Sequence, residues 1–185
     1  RGFSHTRLIG TGAGGLGNLR WLPVADAPTE EPWKAYTALD KSTETASPGR
    51  YRVRLLDANT TAKMTATTHA GLQRYEVDGD SVSLLFDAAS AISSESTTAE
   101  LSVDGNTIEG IAHHGGDFAT RSRPVDIHFS TTVEPAPDSV SVWNDAGIRN
   151  DATSVADGPQ AGVILTFDNP STPIVVRTGI SYVDA

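Results

Sequence analysis

The chain has no cysteine and a single methionine among its 185 residues. Without cysteine it can form no disulfide framework, no thiolate metal site and no cysteine nucleophile, so packing must stabilise the fold. No apolar run approaches the roughly 18 residues needed to cross a bilayer. The first residues also lack the pattern of a signal peptide. We therefore expect a soluble chain without a membrane span, whose export signal lies outside it.

Positive charge is also scarce, because 14 lysines and arginines face 23 acidic residues and give a net charge of −9. The acidic residues are scattered singly rather than gathered in a tail. Such a chain does not suit the phosphate backbone of a nucleic acid, and we expect no nucleic-acid partner. The length allows one folded domain with one core, and we assign residues 1–185 to a single domain.

Alternation of apolar and polar residues is the main structural pattern that is present. Tyr51, Val53 and Leu55 alternate with three arginines, which is typical of a strand with one face in water. Similar β-rich runs occur at Ala62–Ala66, Leu72–Val77, Val82–Phe86, Glu100–Val103, Thr107–Ala112, Val125–Thr131, Val140–Trp143, Val163–Phe167 and Ile174–Tyr182. About ten short strands without a long amphipathic helix predict an all-β sandwich or barrel.

Turn-forming residues separate these runs. Asp78-Gly79-Asp80 and Asp104-Gly105-Asn106 each lie between two β-rich runs and predict tight antiparallel hairpins. The segment from Ala25 to Pro48 is rich in proline and predicts a surface excursion with at most one short helix, around Trp33 to Leu39.

The opening of the chain is rich in glycine. Gly10-Thr11-Gly12-Ala13-Gly14-Gly15 matches the dinucleotide pattern G-x-G-x-x-G formally. However, no clear buried strand precedes it, and Pro23 prevents a packing helix from following. We interpret the stretch as a loop that makes close backbone contacts.

Ser4, His5 and Thr6 precede that loop. Neighbours on an extended chain point to opposite faces, so Ser4 and His5 do not form a nucleophile and base pair. His5 could contact a sugar hydroxyl or hold its own loop together, and the sequence leaves both open.

Four other histidines are less informative. His113-His114-Gly115-Gly116-Asp117 has metal-ligating residue types, but its spacing fits no metal motif. We interpret it as a solvated loop after a strand and predict no metal site in this chain. His69 and His128 lie in strand patterns and are expected to be packed or exposed rather than catalytic.

Three tryptophans could stack on sugars, because apolar faces of pyranose rings pack on aromatic rings. Trp143 follows a β-rich run and is expected in the core, whereas Trp33 in the excursion is expected to be exposed. No pair of carboxylates stands out as the acid and base of glycoside hydrolysis.

Several motifs resemble one enzyme family. Gly2 to Gly12 reads G-F-S-H-T-R-L-I-G-T-G and resembles the signature G-F-S-H-T-x-L-S-G-T-G of glycoside hydrolase family 92, the calcium-dependent exo-α-mannosidases. Similar motifs of that family's N-terminal domain occur at Ala46–Tyr51, Thr65–Thr67, Gly71–Tyr75, Ile108–Gly110 and Val176–Tyr182.

The resemblance implies an N-terminal β-sandwich of two antiparallel sheets, similar to a supersandwich, packed on a C-terminal helical toroid. In the family the catalytic carboxylates and most calcium ligands lie in the toroid, whose partner is a mannose-containing glycan. This chain alone would then be inactive and bind no calcium. It would also be a fragment that lacks the earliest strands of its domain, from a secreted or cell-envelope bacterial protein.

The same resemblance implies substrate-proximal residues near the domain interface. They are Ser4, His5, Thr6, Arg7, Gly10, Thr11 and Gly12, to which we add Trp33. Arg7 departs from the histidine of many relatives and could favour a charged or phosphorylated glycan. Two other functions remain open, namely a free-standing carbohydrate-binding module and a purely structural or adhesive sandwich.

Overall fold

The computed structural model describes residues 2–7, 15–92, 96–115, 124–150 and 154–183, with the backbone alone at residues 96 and 154–157. A 3-10 helix at Pro32–Lys34 and fourteen strands make up this part of the chain. The strands are β1 (Arg20–Val24), β2 (Leu39–Ser47), β3 (Arg50–Leu55), β4 (Thr60–Ala66), β5 (Ala70–Val77), β6 (Ser81–Asp87), β7 (Ser96–Asp104), β8 (Thr107–Gly115), β9 (Val125–Glu134), β10 (Ser139–Asn144), β11 (Gly147–Asn150), β12 (Ser154–Gly158), β13 (Gly162–Asp168) and β14 (Ile174–Ser181).

The strands form two antiparallel sheets. One has five strands in the order β1-β6-β13-β10-β11, and the other has nine in the order β12-β7-β8-β9-β14-β5-β4-β3-β2. The predicted all-β sandwich of two antiparallel sheets is confirmed. None of the helical structure described is long or apolar enough to cross a membrane.

The main core lies between the two sheets. Phe86 of β6 and Phe129 of β9 meet there edge to face, with their ring centroids 5.3 Å apart. Trp21 of β1 stacks on Phe86 with a centroid distance of 4.5 Å. These contacts bury large aromatic side chains from both sheets and fix how the sheets face each other.

The five-stranded sheet carries a second apolar cluster on its outer face. This outer cluster consists of Leu22, Val24, Leu85, Trp143 and Ile164. It explains why the runs in β6 and β13 are continuously apolar, since strands covered on both faces show no alternation.

The excursion after β1 covers that outer cluster, because Trp33 and Ala35 pack against it. The predicted short helix is only the 3-10 turn at Pro32–Lys34. The prediction of an irregular segment up to Pro48 is wrong, because residues Leu39–Ser47 form β2. This edge strand is polar and its pairing shifts register between Asp40 and Thr45, so it lacks an alternating pattern.

The two predicted hairpins have different outcomes. Asp104-Gly105-Asn106 does connect the antiparallel pair β7 and β8, with Gly105 at a φ of 58°. The prediction at Asp78-Gly79-Asp80 is wrong, because β5 pairs with β4 and β14 whereas β6 belongs to the other sheet. Here the turn carries the chain across the core from one sheet to the other.

The opening of the chain extends the five-stranded sheet. Phe3 forms an isolated antiparallel bridge to Trp21, with N–H···O distances of 2.8 Å in both directions. The bridge places residues 2–7 beside the edge strand β1, where the candidate site begins.

Candidate functional site

Ser4 and Thr6 hold the opening of the chain against residue 18. The Ser4 hydroxyl donates to the Asn18 carbonyl at 2.6 Å, and the Thr6 hydroxyl donates to the same oxygen at 3.0 Å. The Thr6 backbone N–H also donates to Ser4 Oγ at 3.2 Å. Both hydroxyls are therefore engaged within the protein, which leaves Ser4 without the geometry of a nucleophile.

His5 points away from those hydroxyls and lies over Gly71 of β5. A Cβ atom added at Gly71 would overlap the His5 ring, so the close approach requires glycine at this position. Burial lowers the pKa of His5. Its Nε2 is buried and has no hydrogen-bond partner.

A small cavity of about 40 Å³ adjoins the His5 ring. Its walls include Thr6, Trp21, residues 66–71 and Thr178. The space suffices for ordered water, which could serve the unpartnered Nε2, but it is far below the volume of a ligand pocket. His5 thus packs as part of the fold while keeping one unsatisfied nitrogen.

A much larger groove of about 1620 Å³ runs past the same segment. Ser4, His5 and Arg7 line one part of it, and Trp33 lines another. Arg7 is exposed, so its guanidinium is accessible from this groove. Trp33 is half-buried rather than exposed as predicted, because its indole packs on the outer cluster.

An ion pair that sequence reasoning missed also lines the groove. Arg20 Nη2 lies 2.9 Å from Asp87 Oδ2 and also donates to the Trp33 carbonyl at 3.1 Å. Burial raises the pKa of Asp87 to about 6, although the charge and hydrogen bond of Arg20 oppose the shift. In the sequence, the only local sign of this ion pair is that Asp87 directly follows the apolar run of β6. Its partner Arg20 lies 67 residues away, so the pairing leaves no local pattern.

Of the remaining predicted site residues, Gly10, Thr11 and Gly12 lie outside the described residues, as do Gly116 and Asp117. Among the residues that the structure describes, no three His, Asp or Glu side chains are close enough together to hold a metal ion.

The histidine predictions need two corrections. His113 and His114 lie within β8, not in a loop after it, because β8 pairs with β9 as far as His114 and with β7 as far as Gly115. They do face opposite ways, since His114 is buried whereas His113 Nδ1 lies 2.7 Å from Asp126 Oδ1 near the surface. His69 lies in the bend between β4 and β5 and is exposed, whereas His128 lies in β9 as predicted.

Comparison with known proteins gives the family. The model of the glycosyl hydrolase family 92 N-terminal domain matches residues 1–181. The chain belongs to glycosyl hydrolase family 92. The family 92 signature that first suggested this, Gly2 to Gly12, begins on the groove wall. A comparison with curated proteins gives no significant match.

Solved structures of family 92 show the same fold. The α-mannosidase BT3965 from Bacteroides thetaiotaomicron, in complex with mannoimidazole, has 23% sequence identity and a TM-score of 0.84 over 98% of this chain. The family 92 glycosyl hydrolase ccman5 has 27% identity and a TM-score of 0.81 over 99% of this chain. In both cases the match covers 26% of the other chain, so this family 92 domain spans about a quarter of their length.

Proposed function

We propose that this chain is the non-catalytic N-terminal domain of an exo-α-mannosidase, and that its groove forms one wall of a mannoside pocket completed by a C-terminal catalytic domain. One observation carries the proposal: the large groove is lined by the signature residues and by Arg7, while Asp87 is the only carboxylate among its described lining residues.

A single carboxylate does not provide inverting glycoside hydrolysis. That reaction needs a general acid and a general base about 6.5–9.5 Å apart, so that a water molecule fits between them. Asp87 is buried and held by Arg20, which leaves it poorly placed to protonate a leaving group in the open groove. We therefore assign both catalytic carboxylates, and any calcium that the parent enzyme requires, to the partner domain. Nothing in the proposed role of this chain depends on a metal.

The proposal is tested first by separating the domains. The 185-residue chain should show no turnover of an aryl α-mannoside, whereas the full-length enzyme or the chain mixed with its catalytic domain should be active. Turnover by the chain alone, retained after repurification and absent from a mock preparation, would place catalysis in the sandwich and overturn the proposal.

A second test addresses the groove wall in the full-length enzyme. Arg7→Gln should lower kcat/KM about tenfold or more, as expected for loss of a charge-assisted hydrogen bond to substrate. Lys41→Gln is the matched control, because Lys41 is exposed, pairs with Glu44 and is not part of the groove lining. Equal kinetics for both variants would remove Arg7 from the pocket.

A free-standing carbohydrate-binding module is the second candidate. The observation that favours it is Tyr36, which is 76% exposed and lines the groove near Trp33, so that two aromatic rings could meet a sugar face. Calorimetric titration of the chain with mannobiose decides between them. Measurable heat that disappears in Tyr36→Ala would favour the module, and absence of heat favours the shared pocket. For either function we propose a secreted or cell-envelope setting in a bacterium.

A further inference from the structure

The outer face of the nine-stranded sheet carries a row of three cations. Arg52 of β3 is directly opposite Lys63 of β4, and Lys63 is directly opposite Arg74 of β5. We call these three residues the cationic row. Their neighbours Val53, Ala62 and Tyr75 are buried in the main core, and since side chains alternate along a strand, the row faces outward. Adjacent strands lie about 4.8 Å apart, so the charges are close.

Like charges directly opposite each other destabilise a sheet. Glu76 is the acid within the group, and its Oε1 lies 2.7 Å from Lys63 Nζ and 3.3 Å from Arg74 Nε. The hydrogen bond from Lys63, followed by the charges of Lys63, Arg74 and Arg52, lowers the pKa of Glu76. One carboxylate thus faces three cations, in a chain whose net charge is −9.

Further arginines enlarge this positive surface. Arg50 and Arg54 lie on the same face of β3 as Arg52. Arg54 is neutralised by Asp78, at 2.5 Å. Arg50 and Arg52 are exposed, and neither has an ion-pair partner among the described residues. Among the described residues, this surface therefore carries more cations than carboxylates.

From this arrangement we propose that the cationic row, with Arg50, binds an anionic polysaccharide that carries carboxylate or sulfate groups on successive sugars. Arginine forks pair with such groups bidentately, and a flat array of cations suits an extended polymer. The outward positions of β3, β4 and β5 include no aromatic residue, so they offer neither a stacking platform for nucleobases nor the aromatic anchors of a protein interface.

The choice of a sugar polymer rests on the proposed function, which brings the domain into contact with glycans. Arg50 also lines the groove, whereas Arg52, Lys63 and Arg74 do not. Failure of the polysaccharide proposal can be distinguished from failure of the pocket proposal, because anion binding is measured on the 185-residue chain without any mannosidase assay.

The test is fluorescence anisotropy of the labelled chain titrated with polygalacturonate and with heparin, and with neutral mannan for comparison. Binding to at least one anionic polymer is expected at about 0.01 M ionic strength and should weaken at about 0.15 M, because salt screens exposed charges. Arg52→Gln/Arg74→Gln should weaken binding at least about tenfold, the equivalent of 1.4 kcal/mol. Neutral mannan should not bind at the row.

Lys41→Gln/Arg177→Gln is the matched control, because it removes the same charge from exposed residues that are already paired with Glu44 and Glu134. It should change the affinity less than about twofold, since exposed paired charges contribute little. Equal weakening in the control, or no binding by the unaltered chain, overturns the proposal. So does equal binding of a single-stranded oligonucleotide, or a salt-sensitive dimer in sedimentation that Arg52→Gln/Arg74→Gln abolishes, since another polyanion or a second copy would then be the occupant.

Discussion

The two sheets of this domain meet solvent in opposite ways. The middle strands of the five-stranded sheet are apolar on both faces, with the main core on one side and the outer cluster around Trp143 on the other. The nine-stranded sheet has the main core on one face and presents charged side chains, including the cationic row, on the other. Strands β6 and β13 of the smaller sheet are therefore covered on both faces, whereas the outer face of the larger sheet is exposed to solvent.

The two sheets therefore differ in how well they tolerate substitutions. Strands buried on both faces allow little change in volume, since protein interiors are close-packed. An exposed face can change its charge at small cost and is free to recognise a ligand. The candidate groove is lined by both sheets. Arg20 and Asp87 belong to the five-stranded sheet, and Arg50 and Tyr51 belong to the nine-stranded one.

The largest expected effect comes from truncating the outer cluster. Trp143→Ala should lower the free energy of unfolding by about 3–5 kcal/mol, because Trp143 is fully buried and leaves a large cavity. Urea denaturation measures the loss. Tyr182→Ala, at a residue that is 51% exposed, should cost less than about 0.5 kcal/mol. If Trp143→Ala does not fold, Trp143→Phe should show a smaller loss of the same sign. Equal stability of the Trp143 and Tyr182 variants would mean that the outer face is not a core.

Adding one methyl group to each sheet is the next comparison. A Cβ atom at Gly162 of β13 would overlap the Trp143 ring and the Phe86 carbonyl. Gly162→Ala should therefore cost about 1–3 kcal/mol through overpacking. At Gly179 of β14 the nearest atom to a new Cβ is the Ser130 carbonyl oxygen, 3.9 Å away. Gly179→Ala should stay within about 0.5 kcal/mol, and a larger loss there than at Gly162 would reverse the comparison.

The buried ion pair of the five-stranded sheet should give a pH dependence. The pKa of Asp87 is about 6 in the folded state, above its ordinary value of 3.8, so folding favours the protonated form. The contribution of Asp87 to stability is then complete below pH 3.8 and declines as the pH rises towards 6, with a slope of at most about 1.4 kcal/mol per pH unit.

Asp87→Asn should remove that decline, as measured by urea denaturation between pH 4 and 7. The lowered pKa of His5 has the opposite effect on stability. As the pH falls below 6.5, the unfolded chain protonates its histidine more readily than the folded chain does, so the folded state loses stability. The variant should therefore lose stability on acidification more steeply than the unaltered chain. Asp145→Asn, in the exposed turn after β10, controls for the loss of a carboxylate. Parallel pH curves for the unaltered chain and Asp87→Asn would contradict this prediction.

The smallest effect is expected on the exposed outer face of the nine-stranded sheet. Arg52→Thr should raise the free energy of unfolding by a few tenths of a kcal/mol, because it relieves repulsion from Lys63 directly opposite. Screening should abolish the gain at high salt. Paired denaturation curves at low and high salt measure it, and a loss of stability at low salt would show that the row is not repulsive.

Much of the fold follows from the sequence where burial leaves a local pattern. All ten predicted β-rich runs coincide with strands, because alternating or continuous apolar residues record which faces are covered, and only Tyr182 falls outside, one residue after β14. The four strands that were missed are β1, β2, β11 and β12. β1 contains Pro23 and is an edge strand, and β2 is polar, so neither shows the pattern of a buried strand.

The candidate site was less predictable, because its key contacts are distant in sequence. The signature identified residues 2–12 as important, but the pairing of Arg20 with Asp87 depends on the register of β1 against β6. The exposure of Trp33 was misjudged for the same reason, since the cluster that covers its indole comes from strands far along the chain. Turn residues likewise could not reveal that the chain changes sheet after Val77.

The bridge between Phe3 and Trp21 also bears on how the protein behaves at high concentration. β1 is the edge of the five-stranded sheet, and the bridge occupies backbone groups that would otherwise be open to pairing with another molecule. We therefore expect the opening of the chain to reduce edge-to-edge association between molecules. Loss of this bridge would be expected to appear as precipitation on storage.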